Sequence, residues 1–151
     1  MGVQVRHANA IREVAAVKRL WREYWAEMEF TPCFQGFEQE VESLPGKYTL
    51  LLALWDGEPA GTVAWRKWDE TRVEAKRLYV RKRFRGKGVA RVLMAEMIGE
   101  LRAAGWKAIL GDTMPGAMQD ALRLYELLGF KRTSPYYEGM PPEAVALELK
   151  L

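Results

Sequence analysis

Alternating apolar and polar residues in VQVRHA (3–8) predict a first strand. From Ile11 the rhythm changes. Val14, Val17, Trp21, Tyr24, Trp25 and Met28 recur at helical spacing and turn one face toward a core. Pro32 and the later LPG (44–46) bracket a short second helix over 37–43. KYTLLLALWDGEPAGTVAWRKW reads as a hairpin that turns at Asp56-Gly57. A strand over 72–80 runs into a glycine stretch, beyond which Val89, Val92, Leu93, Met97, Ile98 and Leu101 form a helical stripe ended by Gly105. WKAILGDT is a strand, AMQDALRLYELLGF a helix ended by Gly129, and FKRT and AVALELKL are two closing strands. The order is β-α-α-β-β-β-α-β-α-β-β. It implies an α/β fold, a mixed and partly antiparallel sheet of about seven strands with helices on both faces. No repeat, linker or low-complexity tract interrupts it, so residues 1–151 are expected to form one domain.

Composition removes several function classes. No apolar run of about 18 residues exists to span a membrane, and MGVQVRHANA lacks the apolar core of a signal peptide. The single cysteine, Cys33, cannot form an internal disulfide and suits a reducing compartment, so a cytoplasmic location is expected. One His and one Cys argue against a zinc site, and no metal is expected. His7 reads as a structural strand residue, and Cys33, with no partnered His, as no nucleophile.

Charge is uneven. Residues 76–91 carry eight cations and no acid, while the rest holds 15 cations against 20 acids. Residues 23–46 invert this, with Glu23, Glu27, Glu29, Glu38, Glu40 and Glu42 and no Lys or Arg. The asymmetry points to one anionic partner and one cationic one.

Gly86 and Gly88 stand where a strand gives way to a helix. A helix start has unpaired N–H groups and partial positive charge, and glycine lets the backbone approach a phosphate closely. Arg85, Lys87 and Arg91 crowd beside them. The P-loop string GxxxxGK[ST] is absent, and a dinucleotide fingerprint would need a small residue where Arg91 stands. A nucleic-acid patch is the alternative, though only Tyr79 and Phe84 could stack on bases.

Read from Arg85, RGKGVA followed by RVLM resembles the [Q/R]-x-x-G-x-[G/A] turn of the GNAT superfamily of acyl-CoA-dependent N-acetyltransferases. ALRLYELLGF, with its tyrosine 37 residues after Gly88, and EAKRLYV ahead of the turn resemble two further features of that family. LPGKY, DT and PYY are similar to an uncharacterised bacterial branch of it. The resemblance implies the GNAT fold, acetyl-CoA as co-substrate and direct acetyl transfer to an amine.

It also implies residue roles. Leu78, Tyr79 and Val80 would offer a strand edge to the pantetheine arm. Arg85, Gly86, Lys87, Gly88, Val89, Ala90 and Arg91 would hold the phosphates, with Met118, Ala121 and Tyr125 along the arm. Met118 stands where many relatives carry an asparagine. Tyr125 matches the general acid that reprotonates the thiolate, and a backbone N–H near Tyr79 or Val80 would meet the oxyanion. Glu74 stands at the offset of a catalytic glutamate in some protein-acetylating members, about 13 Å along the strand from Leu78 at ~3.3 Å per residue, and on its face by alternation. Asp112 is its rival as base. The glutamates of 23–46, interleaved with Trp21, Trp25, Phe30, Phe34 and Phe37, favour a cationic amine or basic peptide as acceptor. A non-catalytic acyl-CoA-binding regulator and a homodimer are left open.

Overall fold

The computed structural model describes residues 2–28, 36–114 and 119–151. Phe30, Pro32, Cys33, Phe34 and Met118 lie outside them. The elements follow the expected order: β1 (Val3–His7), α1 (Ile11–Met28), α2 (Phe37–Glu42), β2 (Thr49–Trp55), β3 (Glu58–Lys67), β4 (Arg72–Val80), α3 (Val89–Ala103), β5 (Ala108–Thr113), α4 (Gln119–Leu127), β6 (Lys131–Thr133) and β7 (Val145–Lys150). They form one seven-stranded sheet, ordered β1-β2-β3-β4-β5-β7-β6. Only β4 and β5 run parallel; the other neighbours are antiparallel. The β2–β3 turn is tight because Asp56 (φ 48°) and Gly57 (φ 86°) both take left-handed conformations.

Helices cover both faces. On one, Val17, Leu20 and Trp21 of α1 and Val41 of α2 pack on Leu50, Leu52 and Ala64. On the other, Leu93, Met94 and Met97 of α3 and Leu122 of α4 pack on Leu51, Val63, Val73 and Ile109. A strand buried on both faces has no polar alternation, which is why TLLLALW reads as a continuous apolar run. Each such fully buried Leu contributes about 2 kcal/mol of apolar transfer.

Strand β4 departs from regularity. Ala64 opposes Lys76 and Thr62 opposes Tyr79, so β4 carries one residue more than β3 there. Arg77 absorbs it with φ 61°, a left-handed conformation that costs a non-glycine residue about 1–2 kcal/mol. Its side chain is anchored. Arg77 pairs with Glu40 of α2 at 3.1 Å, and its guanidinium carbon lies 5.4 Å from the Phe37 ring centroid and 5.5 Å from that of Trp21. The bulge reverses the alternation: Val73, Ala75 and Leu78 join the α3 side, whereas Tyr79 joins the α1 side. The expectation that Glu74 and Leu78 share a face is thereby corrected, because counting by twos fails across an inserted residue.

The same region opens the sheet. β4 and β5 pair only from Arg72 to Glu74 and from Ala108 to Leu110. Beyond that point β4 follows β3 as far as Val80, while β5 follows β7 as far as Thr113. The two strands part like a fork.

Candidate active site

A groove of about 610 Å³ lies along the open side of β4. Leu78, Tyr79 and Val80 form one wall, and Arg85, Gly86, Gly88, Val89, Ala90 and Arg91 form its wide end. Ala121 and Leu124 of α4 and Tyr24, Glu27 and Met28 of α1 complete it. Most of the residues assigned to the cofactor from sequence therefore meet in one place. Lys87 is not in the lining; its ammonium sits 5.4 Å from the Trp55 ring centroid.

The wide end is built for an anion. Gly86 (φ 77°) and Gly88 (φ 83°) make the left-handed turn into α3. A Cβ at either would meet nothing within 4 Å, so the space beside both is open. The first N–H groups of α3 point out of this turn with no side-chain cap from Gly88.

The charges beside it are arranged otherwise than the sequence suggested. Arg81 pairs with Glu23 at 2.9 Å, Arg85 with Glu27 and Arg77 with Glu40, while Glu38 and Glu42 pair with Arg22. Three cations of the basic run thus meet three glutamates of the acidic run across α1, α2 and β4. Charge asymmetry along the chain is therefore in part cancelled by packing. Blocks far apart in sequence were folded together, which a charge count along the chain cannot register.

At the fork the chemistry changes. Glu74 is 1% exposed. It accepts hydrogen bonds from Arg66 Nε at 2.9 Å and from the Tyr136 hydroxyl at 2.7 Å. Asp112 accepts one from the Tyr137 hydroxyl at 2.8 Å. The two tyrosine rings pack edge to face, with centroids 5.3 Å apart, and so tie the two carboxylates together. Lys76, half-buried on the face of Glu74, has its pKa lowered by burial although Glu74 and Asp112 pull it upward. Tyr136, Tyr137, Arg66 and Lys76 were not singled out from sequence. A buried carboxylate needs donors, but which donors depends on the loop between β6 and β7, and PYY marked only a resemblance.

Tyr125, like Lys87, is not among the residues that line the groove; it is buried, with its ring 5.2 Å from Phe130. Burial pushes its pKa up, and the neighbouring Tyr24 and Asp112 push the same way, so the hydroxyl keeps its proton at neutral pH. Among the described residues no group of three His, Cys, Asp or Glu could hold a metal ion, and no helix is long and apolar enough to cross a membrane.

The profile of the Acetyltransferase (GNAT) family matches residues 14–130. An uncharacterized N-acetyltransferase of Schizosaccharomyces pombe is 32% identical over 141 residues, covering 89% of this chain and 86% of that protein. The fold is shared with the PaiA N-acetyltransferase of Thermoplasma acidophilum solved with coenzyme A, at TM-score 0.81 and 16% identity over 100% of both chains. It is also shared with YncA of Salmonella typhimurium, solved with acetyl-CoA, at TM-score 0.76 and 18% identity over 99% of this chain and 94% of that one. The chain belongs to the GNAT acetyltransferase family.

Proposed function

We propose that this protein transfers the acetyl group of acetyl-CoA directly to a primary amine. The carrying observation is the fork: an unpaired strand edge at Leu78–Val80 that leads from a glycine-led helix start to a pair of tyrosine-held carboxylates. Amide groups along a flexible arm can pair with such an edge as an added strand would, and diphosphate suits the N–H groups of 87–91.

The roles we assign rest on the family resemblance. The acceptor nitrogen attacks the thioester carbonyl, the C–S bond breaks, and the departing thiolate takes the Tyr125 proton. A backbone N–H at Tyr79 or Val80 meets the oxyanion. An alkylamine has a pKa near 10.4, so only about one in two thousand is free base at pH 7 and a proton acceptor helps. Glu74 is our choice, directly or through water, with Asp112 as the alternative.

For the acceptor we favour a small cationic amine or a basic peptide. The glutamates of α1 and α2 support this less than the sequence suggested, because their charge is paired. Its support is now Glu74 and Asp112 at the fork. The test is thiol release from acetyl-CoA over a panel of amines, basic peptides and acidic amino acids. Turnover confined to acidic amino acids would overturn the acceptor class, and no binding of acetyl-CoA at all would overturn the whole reading.

A further inference from the structure

By position, Arg85 belongs to the phosphates, yet its side chain folds back into the groove. Its Nε donates to the Val80 carbonyl at 2.8 Å, and a terminal nitrogen pairs with the Glu27 carboxylate. The guanidinium carbon lies 5.6 Å from the Tyr79 ring centroid, and the Tyr79 hydroxyl donates to Glu27 at 3.0 Å. All four residues line the groove, so the contact clips α1 to β4 across it.

The clip occupies a group the arm needs. The Val80 carbonyl points away from β3, because the Arg81 N–H of the same peptide bonds Ala60, and Arg85 stands against it on the edge where an amide N–H of pantetheine would pair. The clip is also weak, since the Arg85 and Glu27 side chains are 42% and 32% exposed. An ion pair of that exposure is easily exchanged for a stronger one. A diphosphate offers Arg85 charge-assisted, bidentate hydrogen bonds in place of Glu27. Bare pantetheine offers it none.

Resting on the acetyl-CoA reading above, we infer that Arg85 and Glu27 set acyl-carrier specificity. The clip opens for a carrier that brings its own phosphates and stays closed against a pantetheine thioester without them. Arg85 thus excludes one ligand and receives the other, and Glu27 holds it in the excluding position.

Calorimetric titration of the full chain with coenzyme A and with pantetheine, in wild type, Arg85→Met and Glu27→Gln, tests this without knowledge of the acceptor. Arg85→Met should weaken coenzyme A and tighten pantetheine, each by about 3- to 5-fold for contacts of this exposure. Glu27→Gln should tighten pantetheine similarly while coenzyme A binds no more weakly than to wild type. If pantetheine affinity in Arg85→Met is unchanged or still undetectable while wild type binds coenzyme A, Arg85 is a phosphate ligand only and the clip selects nothing. Failure of wild type to bind coenzyme A would instead overturn the site reading beneath it.

Discussion

The two ends of the opened strands handle charge in opposite ways. At the wide end the turn glycines leave empty space, and Arg85 sits in an exchangeable pair, at 42% exposure beside Glu27 at 32%. At the fork, Glu74 is sealed at 1% exposure and its partners are fixed hydrogen-bond donors. An exposed pair is worth well under about 1 kcal/mol and yields to a competing anion. A buried carboxylate that loses its donors strands a charge, which costs several times more. The wide end can therefore trade partners with a ligand, whereas the fork can only hold groups still and move protons.

This contrast is sharpest in catalysis. Tyr125→Phe keeps the ring against Phe130 and removes only the proton, so turnover should fall about 10²-fold while acetyl-CoA affinity stays. Steady-state kinetics on a verified acceptor, beside calorimetric binding, separates the two. Undiminished turnover would return Tyr125 to a packing role.

Gly88→Val should do the reverse. A Cβ at this position meets nothing within 4 Å, and the left-handed turn adds strain of about 1–2 kcal/mol, so a folded but less stable protein is expected. Saturating acetyl-CoA at 100 times Kd adds about 2.7 kcal/mol to wild type, and that thermal shift should vanish in the variant.

Glu74→Gln probes the sealed end. It leaves Arg66 without its counter-charge, but Arg66 is 22% exposed and water relieves part of the loss. About 2 kcal/mol of destabilisation in urea is expected, below the full range for breaking a buried pair. Glu23→Gln, which breaks the Arg81 pair near the wide end, should cost under about 1 kcal/mol. Equal costs would erase the distinction between the two ends.

Alkaline titration gives a further check, because all six tyrosines have raised pKa values, Tyr48 and Tyr79 to about 12. Burial is the largest cause in each. A folded value above the unfolded one near 10 stabilises the protein below that pH, and the stability is lost as pH rises beyond it. Tyrosinate absorbance should therefore appear together with loss of circular dichroism. A tyrosine that titrates near pH 10 in folded protein would mark a ring open to solvent.

What sequence made legible follows the range of the interaction. Helices and strands answer to periodicity within a dozen residues, and the anion turn to Gly86 and Gly88 two positions apart, so both could be read directly. The bulge could not be, because EAKRLYV shows no glycine where φ turns positive; Arg77 is held there by Glu40 and aromatic rings 37 to 56 residues away. The pairing of Glu23, Glu27 and Glu40 with the basic run is likewise a property of packing. So are the tyrosine hydroxyls that donate to Glu74 and Asp112, which come from the last loop of the chain.

Those donors also offer the finest division within the fork. Tyr136→Phe and Tyr137→Phe each remove one hydroxyl from one carboxylate and leave both rings in their edge-to-face contact. Each should cost about 2 kcal/mol of stability, the usual loss of one hydrogen bond to a charged group. Their effects on turnover should differ, because a carboxylate that has lost the hydroxyl holding it no longer stands where the amine proton is delivered. A fall in kcat in Tyr136→Phe alone assigns the proton to Glu74, and a fall in Tyr137→Phe alone assigns it to Asp112. If kcat falls in neither, both carboxylates serve to shape the acceptor site, and the amine must lose its proton to water.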